Sequence, residues 1–598
     1  MSRSQNLEAG GQTNTAEIGG VVRDVSGGVL PGAGVTARHA ASGVSVVRVT
    51  DGEGRFFLPA LRIGQWEIVV TLHGFAPQRR TVAVEIGRTV ALDFTLTIEG
   101  LAEQITVDVP VPMLQTTTAE ISDVIENLAV VQLPLNGRNF LALAQLSDSV
   151  VLPPGGTRGE ALQQAGPLPN VGGQRSGHNI YLLDGAKVTD ELFNNLVINP
   201  SIDSIEEFKI QKSMYPAEFG GKASALINVS TKAGANQFHG SGFEFHRNHA
   251  FDATNFFHPA GQPKPPLRQN QFGGALGGPI VRSRTFFFGS YEGTRLRRSV
   301  TRTFTVPSAT LRAGDFSSAA PICDPSPVAS IGSCAPFANN QIPSSRIDPI
   351  ASAFFQQVPL PTATTASQNL TAIEETTRDL NQFSVRFDHR LTQNDSLLAR
   401  FSTFDAGELQ PYGTGVLQES LVPGFGRQLT THTRNLVAGH TRVFGDSVLN
   451  ELRFGWMGVS GGQLSVNRGT NFAAQVGLLG VTTDPRDVGY PQISTAGLFS
   501  TMGDPTVFTT RNNHQVELYE NLTVDRGAHR FKLGGYFFPT ALASRTARQC
   551  PRQFRVHRTV HGQCVRRLSA WLSDLSHLGD RPRRRRWPHA LAASVRAG

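Results

Sequence analysis

Four cysteines in 598 residues exclude a disulfide scaffold. Cys323 and Cys334 stand inside a Pro/Ser/Ala-rich stretch. Their spacing admits either a small loop-closing disulfide in an oxidising compartment or two unpaired thiols. CxxC and Cys/His zinc spacings are absent. No run of 18 apolar residues exists, which excludes a transmembrane helix. A membrane β-barrel stays open, because its strands are short and alternate. Charge is also scarce: 17% of residues are charged, and lysine supplies only 7 of the 55 bases. Long soluble helical proteins need Glu, Lys, Ala and Leu, so this shortage argues for mainly β structure.

The formal net charge of +8 suggests a basic protein, but it is unevenly distributed. Residues 543–598 hold 13 Arg and two acids, a net of +11, and the other 542 residues carry −3. The basicity therefore belongs to the last tenth of the chain. RPRRRRWPHA reads in isolation as a nucleic-acid or phosphate-binding arm. Against that, composition changes abruptly near Ala543. Codons can be chosen for QCVRRLSAWLSDL whose +1 shift reads NAFADFLLGYPTS, a string that resembles outer-membrane receptor sequence. The tail 543–598 is accordingly expected to be out-of-frame translation, and no nucleic-acid partner is expected.

What is abundant is Gly (61), Pro (35), Phe (37), Thr, Ser and Val. Over the first hundred residues short alternating runs recur about every ten positions, separated by turn signals such as Asp51-Gly52-Glu53-Gly54. In QWEIVVTL, Trp66, Ile68, Val70 and Leu72 point one way and Glu67, Val69 and Thr71 the other, as in a half-buried strand. Seven such runs predict a small antiparallel sandwich. GGVVRDVSGGVLPGAGVTA, TDGEGRFFLPALRIGQWEIVVTLHGF and VALDFTL together resemble the carboxypeptidase regulatory-like domain, over residues 17–97. The resemblance identifies a module and no chemistry; His39 and His73 have no partner at ligand spacing.

EQITVDV follows, an extended hydrophobic and Thr-rich segment suited to adding a strand to another protein's sheet. Glu103, Gln104, Ile105, Thr106 and Val107 resemble the TonB box of outer-membrane receptors. Next, LPLNGRNFLALAQLSDSV combines an Asn136-Gly137 turn with an apolar helix. NIYLLDG is a buried strand ending at Asp184-Gly185. In NPSIDSIEEFKIQKS, Ser204 followed by Glu207 predicts a capped short helix, and ALINVSTK is a further strand. These stretches resemble the plug domain of TonB-dependent receptors, with wording similar to the Oar-like members. No phosphate-binding glycine loop opens a helix after a strand.

From 236 onward the texture is strands bounded by hairpin turns. In QFSVRFDHRL, Phe383, Val385 and Phe387 face one side and Ser384, Arg386 and Asp388 the other, as a lipid face and a polar lumen face require. Setting aside 307–379 and 459–511 as irregular leaves room for about ten to twelve strands of the roughly ten residues each crossing needs. A receptor barrel of this kind has about 22 strands, so the barrel is expected to be incomplete and to insert poorly, with two bare edges.

The expected architecture is mainly β: a disordered N-terminus (1–16), the sandwich (17–97), a linker with the TonB-box-like segment (98–118), an α+β plug (119–235), a partial antiparallel barrel (236–542) and the aberrant tail. The resemblance implies a non-enzymatic receptor, a truncated copy, that takes up a large or scarce ligand such as a carbohydrate or siderophore. Its partners would be a TonB-type periplasmic energy-coupling protein and outer-membrane lipid, with no cofactor and no metal. MSRSQNLEAGG lacks the apolar core of a secretory signal, which outer-membrane delivery requires, so the true start is expected upstream. The alternative is a surface adhesion or glycan-binding protein anchored by the barrel.

Overall fold

The computed structural model describes residues 14–99, 120–152, 168–548 and 554–556, apart from internal segments of which the longest are 255–263, 325–335 and 413–421. Residues 103–107, Cys323, Cys334 and the tail from 557 lie outside the described residues.

The first unit is a two-sheet sandwich. One sheet pairs Thr15–Asp24 with Arg55–Arg62 and with two short strands, Thr89–Ala91 and Phe94–Leu96. The other runs in the order Ser45–Val49, Gly34–His39, Gly64–Thr71, Gln78–Val84. Trp66, Ile68 and Val70 are buried between the sheets with Ile18, Leu58, Leu61 and Phe94. Burying each such side chain contributes about 1.5–3 kcal/mol. One expectation is corrected here. The sandwich is not wholly antiparallel, because Thr15–Asp24 runs parallel to both short strands. The chain leaves one sheet after Gln78–Val84 and enters the other before Thr89, and that crossing sets the direction of arrival.

The middle unit has a five-stranded sheet in the order Ala186–Lys187, Ile180–Leu183, Leu226–Thr231, Ile205–Ser213, Ile121–Glu126. Its four-residue strand Ile180–Leu183 is buried throughout and ends at Asp184 (φ 50°) and Gly185 (φ 75°). The predicted helix beginning at Ser204 is not formed. Ile202–Ser204 is a single 3-10 turn, and Glu207 lies within the strand Ile205–Ser213. Antiparallel pairing on both edges, with Leu226–Thr231 and Ile121–Glu126, holds Ile205–Ser213 extended in place of a helix.

The third unit is a ten-stranded antiparallel wall. It runs in chain order through His239–Asn248, Leu267–Val281, Thr285–Phe304, Leu370–Arg390, Asp395–Gln410, Arg427–Phe444, Val448–Ser465 and Val507–Arg526. His529–Phe537 and Thr540–Arg548 pair with successive halves of Val507–Arg526, so they act as one strand interrupted at Pro539. Among the described residues the wall therefore has nine strand positions. Its strands are longer, from 15 to 21 residues for the seven between Leu267 and Arg526. Much of what reads as irregular sequence, such as 370–379 and 459–465, extends the strands well past the roughly ten residues that cross a bilayer.

Among the described residues the wall does not close. Phe383, Phe387, Phe401, Leu436, Leu452, Phe454 and Leu518 stand exposed on its outer face. Arg386, Arg400, Ser402, Thr433, Asn435, Asn513 and Glu517 are buried on its inner face. Intervals between strands alternate between short (282–284, 391–394, 445–447, 527–528) and long (249–266, 305–369, 411–426, 466–506). Short turns at one end and long loops at the other are the periplasmic and extracellular ends of an outer-membrane barrel. Three of the long loops, 305–369, 411–426 and 466–506, share one aromatic core. Phe354 stacks on Phe425 at 6.2 Å, and Phe472 meets Tyr490 at 4.8 Å.

Candidate functional site between the middle unit and the wall

The middle unit sits against the polar inner face of the wall, and buried charges join the two. Asp184 is the centre. The left-handed turn at Asp184-Gly185 projects its carboxylate toward the wall. There it accepts from Arg386 Nη1 at 3.1 Å and lies 2.7 Å from Arg400 Nε. Thr231 adds its N–H at 2.9 Å and its hydroxyl at 2.7 Å, and Asn14 its amide at 3.2 Å. Arg400 also donates to Leu183 O at 3.0 Å and to Asn435 Oδ1 at 2.8 Å. Arg386 is shared with Asp388 at 2.8 Å, so two carboxylates balance two guanidiniums. Gly185 suits this turn because its φ is positive, and a Cβ there would also displace the Arg453 guanidinium.

Three further contacts continue the pattern. Asp190 meets Arg511 at 2.5 Å and Asn513 at 3.3 Å. The Lys187 N–H donates to Glu517 at 2.8 Å. Glu292 accepts from Ser201 at 2.7 Å and faces Arg138 at 3.4 Å, while Arg138 also pairs with Asp203. Apolar packing supplements these ions: Leu380, Phe404, Ala406, Met457 and Val459 of the wall join the middle unit's own core. A buried ion pair gains little net stability over an apolar contact, yet removing one partner costs about 3–5 kcal/mol. Such an interface specifies one seating and can be released by disturbing few groups.

On the opposite side, Ile205–Ser213 faces the sandwich. Glu207 accepts the Ile86 N–H, and Lys209 pairs with Glu120 at 2.7 Å and donates to Gly87 O at 3.2 Å. Burial pushes the Glu207 carboxyl up to about 8, opposed by the Ile86 N–H. Burial likewise depresses the Lys209 ammonium.

Of the residues singled out from sequence, Arg386 and the Asp184-Gly185 turn meet in this site. His39 is structural. Its Nε2 donates to Ile63 O at 3.1 Å, which leaves Nδ1 to accept from the Ser42 N–H at 3.1 Å. Arg400, Arg511 and Glu517 went unrecognised, although their inward parity on alternating wall strands was a usable signal, and Asp190, on a two-residue strand buried on both faces, offered none. Among the described residues no group of three or more His, Cys, Asp or Glu side chains is placed to hold a metal ion.

Residues 230–568 match the outer membrane beta barrel domain family, and residues 17–97 match the carboxypeptidase regulatory-like domain. Over 269 residues the chain is 27% identical to the TonB-dependent transporter Oar of Myxococcus xanthus, a match covering 43% of this chain and 24% of that protein. The outer membrane transporter YddB of Escherichia coli aligns with TM-score 0.39 at 9% identity, over 71% of this chain and 54% of that one. A mutant of the ferric enterobactin receptor PfeA of Pseudomonas aeruginosa, in complex with enterobactin, aligns with TM-score 0.38 at 12% identity, over 71% and 50%. The match thus spans about a quarter of the curated relative and about half of these solved chains. By the match over more than half its length, the chain belongs to the outer membrane beta barrel domain family, carries a carboxypeptidase regulatory-like domain ahead of its barrel strands, and has its place in the outer membrane.

Proposed function

We propose that the chain works as a TonB-dependent receptor and transporter, with the middle unit as its plug. A ligand binds at the long-loop end, and a TonB-type periplasmic protein pairs with residues 103–107 and pulls the plug from its seat. The observation that carries this reading is the Asp184 seat. One plug carboxylate between Arg386 and Arg400 makes a specific, water-excluded attachment that a few broken contacts release. No bond is made or broken in such a cycle, so it calls for no catalytic residues, cofactor or nucleic acid. A carbohydrate or a siderophore fits the class of large or scarce ligands this cycle serves.

The position of the sandwich favours transport over the adhesion alternative. Its Gly43 lies beside Ser283 of the 282–284 turn and its Arg48 reaches Asn394 of the 391–394 turn, at the short-turn end, which faces the periplasm rather than the cell exterior. The test is binding of a purified TonB C-terminal domain to the detergent-solubilised chain, with and without residues 103–107. Binding that disappears on deletion supports the reading, and undiminished binding overturns it.

A further inference from the structure

The sandwich reaches both other units at once. Its turn 85–88 lies on the plug strand Ile205–Ser213, through Ile86 to Glu207 and Gly87 to Lys209. It also grips the wall at separated points of the short-turn rim. Asn236, at the entry to the wall, donates its backbone N–H to Ala41 O at 3.0 Å and its amide to Ser42 O at 2.6 Å. The same amide reaches Ser283 at 3.0 Å. Arg62 donates to Gly234 O at 2.7 Å and lies over the Phe286 ring. Arg48 reaches Asn394 at 3.4 Å. On a distant wall strand Arg530 pairs with Glu17 at 3.0 Å and covers Phe57 at 4.4 Å. The rim contacts thus extend from the first wall turn to the strand His529–Phe537, with the plug strand held between them.

We infer that the carboxypeptidase regulatory-like sandwich is a retaining clamp on the plug: anchored to the rim on both sides, it must swing off the short-turn end before the plug strand Ile205–Ser213 can move. The physical ground is geometric. A body hydrogen-bonded to the plug alone would travel with it, whereas one fixed also to the wall opposes displacement until its rim contacts open. The inference rests on reading the middle unit as a displaceable plug. It adds a second release step beyond the Asp184 seat.

The clamp can be locked by a disulfide. A Cβ built at Gly43 would lie 3.0 Å from Ser283 Oγ, within disulfide reach, although Gly43 has φ 67° and a cysteine there carries some strain. The experiment uses the full chain in detergent micelles, with the four native cysteines replaced by serine and the pair Gly43→Cys and Ser283→Cys introduced. Amide hydrogen exchange is followed along residues 205–213. Oxidising the pair is expected to slow exchange there about tenfold relative to the same protein reduced. The rim variant Asn236→Ala with Arg530→Ala, which spares the Ile86–Glu207 and Gly87–Lys209 contacts, is expected to speed it by about as much. Equal exchange in the oxidised, reduced and rim-variant proteins overturns the clamp. The reduced protein serves as its own folding control. If TonB-domain binding survives deletion of 103–107 while oxidation still slows exchange, transport fails and the clamp stands. The reverse pair of outcomes removes the clamp and leaves transport.

Discussion

The sandwich and the middle unit, the proposed plug, are both buried β structure, but they are held by opposite chemistry. The sandwich closes over Trp66, Ile68, Leu58, Phe94 and their neighbours, with Arg48 its one buried charge among the described residues. The plug is fixed to the wall by Asp184, Asp190, Arg386, Arg400, Arg511 and Glu517, all buried. Apolar burial is non-directional and spread over many groups, so it resists piecemeal opening. Ion pairs in a dry interface are directional and concentrated in a few atoms, so loss of one partner is costly and the whole seat gives way together. The first arrangement suits a body that stays folded through every cycle. The second suits one that sits in a single register and, under the proposed function, then leaves it.

The largest way to break this contrast is to remove the central carboxylate. Asp184→Ala should destabilise the plug–barrel assembly by about 3–5 kcal/mol, because Arg386 and Arg400 lose a buried partner. Thermal unfolding in detergent measures it. A loss under about 1 kcal/mol would mean that water or Asp388 already serves those guanidiniums. Next comes the outer face. Phe383→Arg should cost about 2–4 kcal/mol if that position faces the bilayer interior, read as the urea midpoint in lipid vesicles. A negligible change would place Phe383 outside the hydrocarbon.

A third test separates the sandwich from the plug by pH. Burial first, and Arg62 second, hold the His39 imidazole at about 4, below its usual 6.5. The folded value is depressed, so the stability it contributes is complete above pH 6.5 and is lost as pH falls through about 4. At most that is about 3 kcal/mol. Sandwich melting should drop over this window, and His39→Gln should flatten the drop. The sandwich–plug contact runs the other way. Burial raises both Glu207 and Glu85, with Glu126, Glu206, Glu120, Lys209 and Arg88 facing the same cluster. Its stability is greatest below about 4.5 and is lost as pH rises through about 8, which hydrogen exchange at Ile86 would follow.

Much of the fold was legible because alternation is a local property. Trp66, Ile68 and Val70 announce a half-buried strand within seven residues, and Phe383 to Asp388 announce a two-faced one. The seat was harder to see. Asp184 reads as a turn residue, and nothing within its neighbourhood indicates that Arg386 and Arg400, about two hundred positions later, will converge on it. Ser204 and Glu207 misled for a related reason. Their spacing matches a helix cap, but Glu207 is taken by Ile86 of another unit, and the strand pairing outweighs a one-turn helix. Strand length was also underestimated, since polar segments such as 370–379 pair well beyond the membrane.

One carboxylate, Asp184, holds two wall arginines, Arg386 and Arg400. A double-mutant cycle on Asp184→Ala and Arg400→Ala, scored by unfolding of the full chain in detergent, tests it most directly. Direct contact predicts a coupling energy of about 2–3 kcal/mol, with the second substitution costing far less once the first is made. Additive losses, with coupling below about 0.5 kcal/mol, would contradict it.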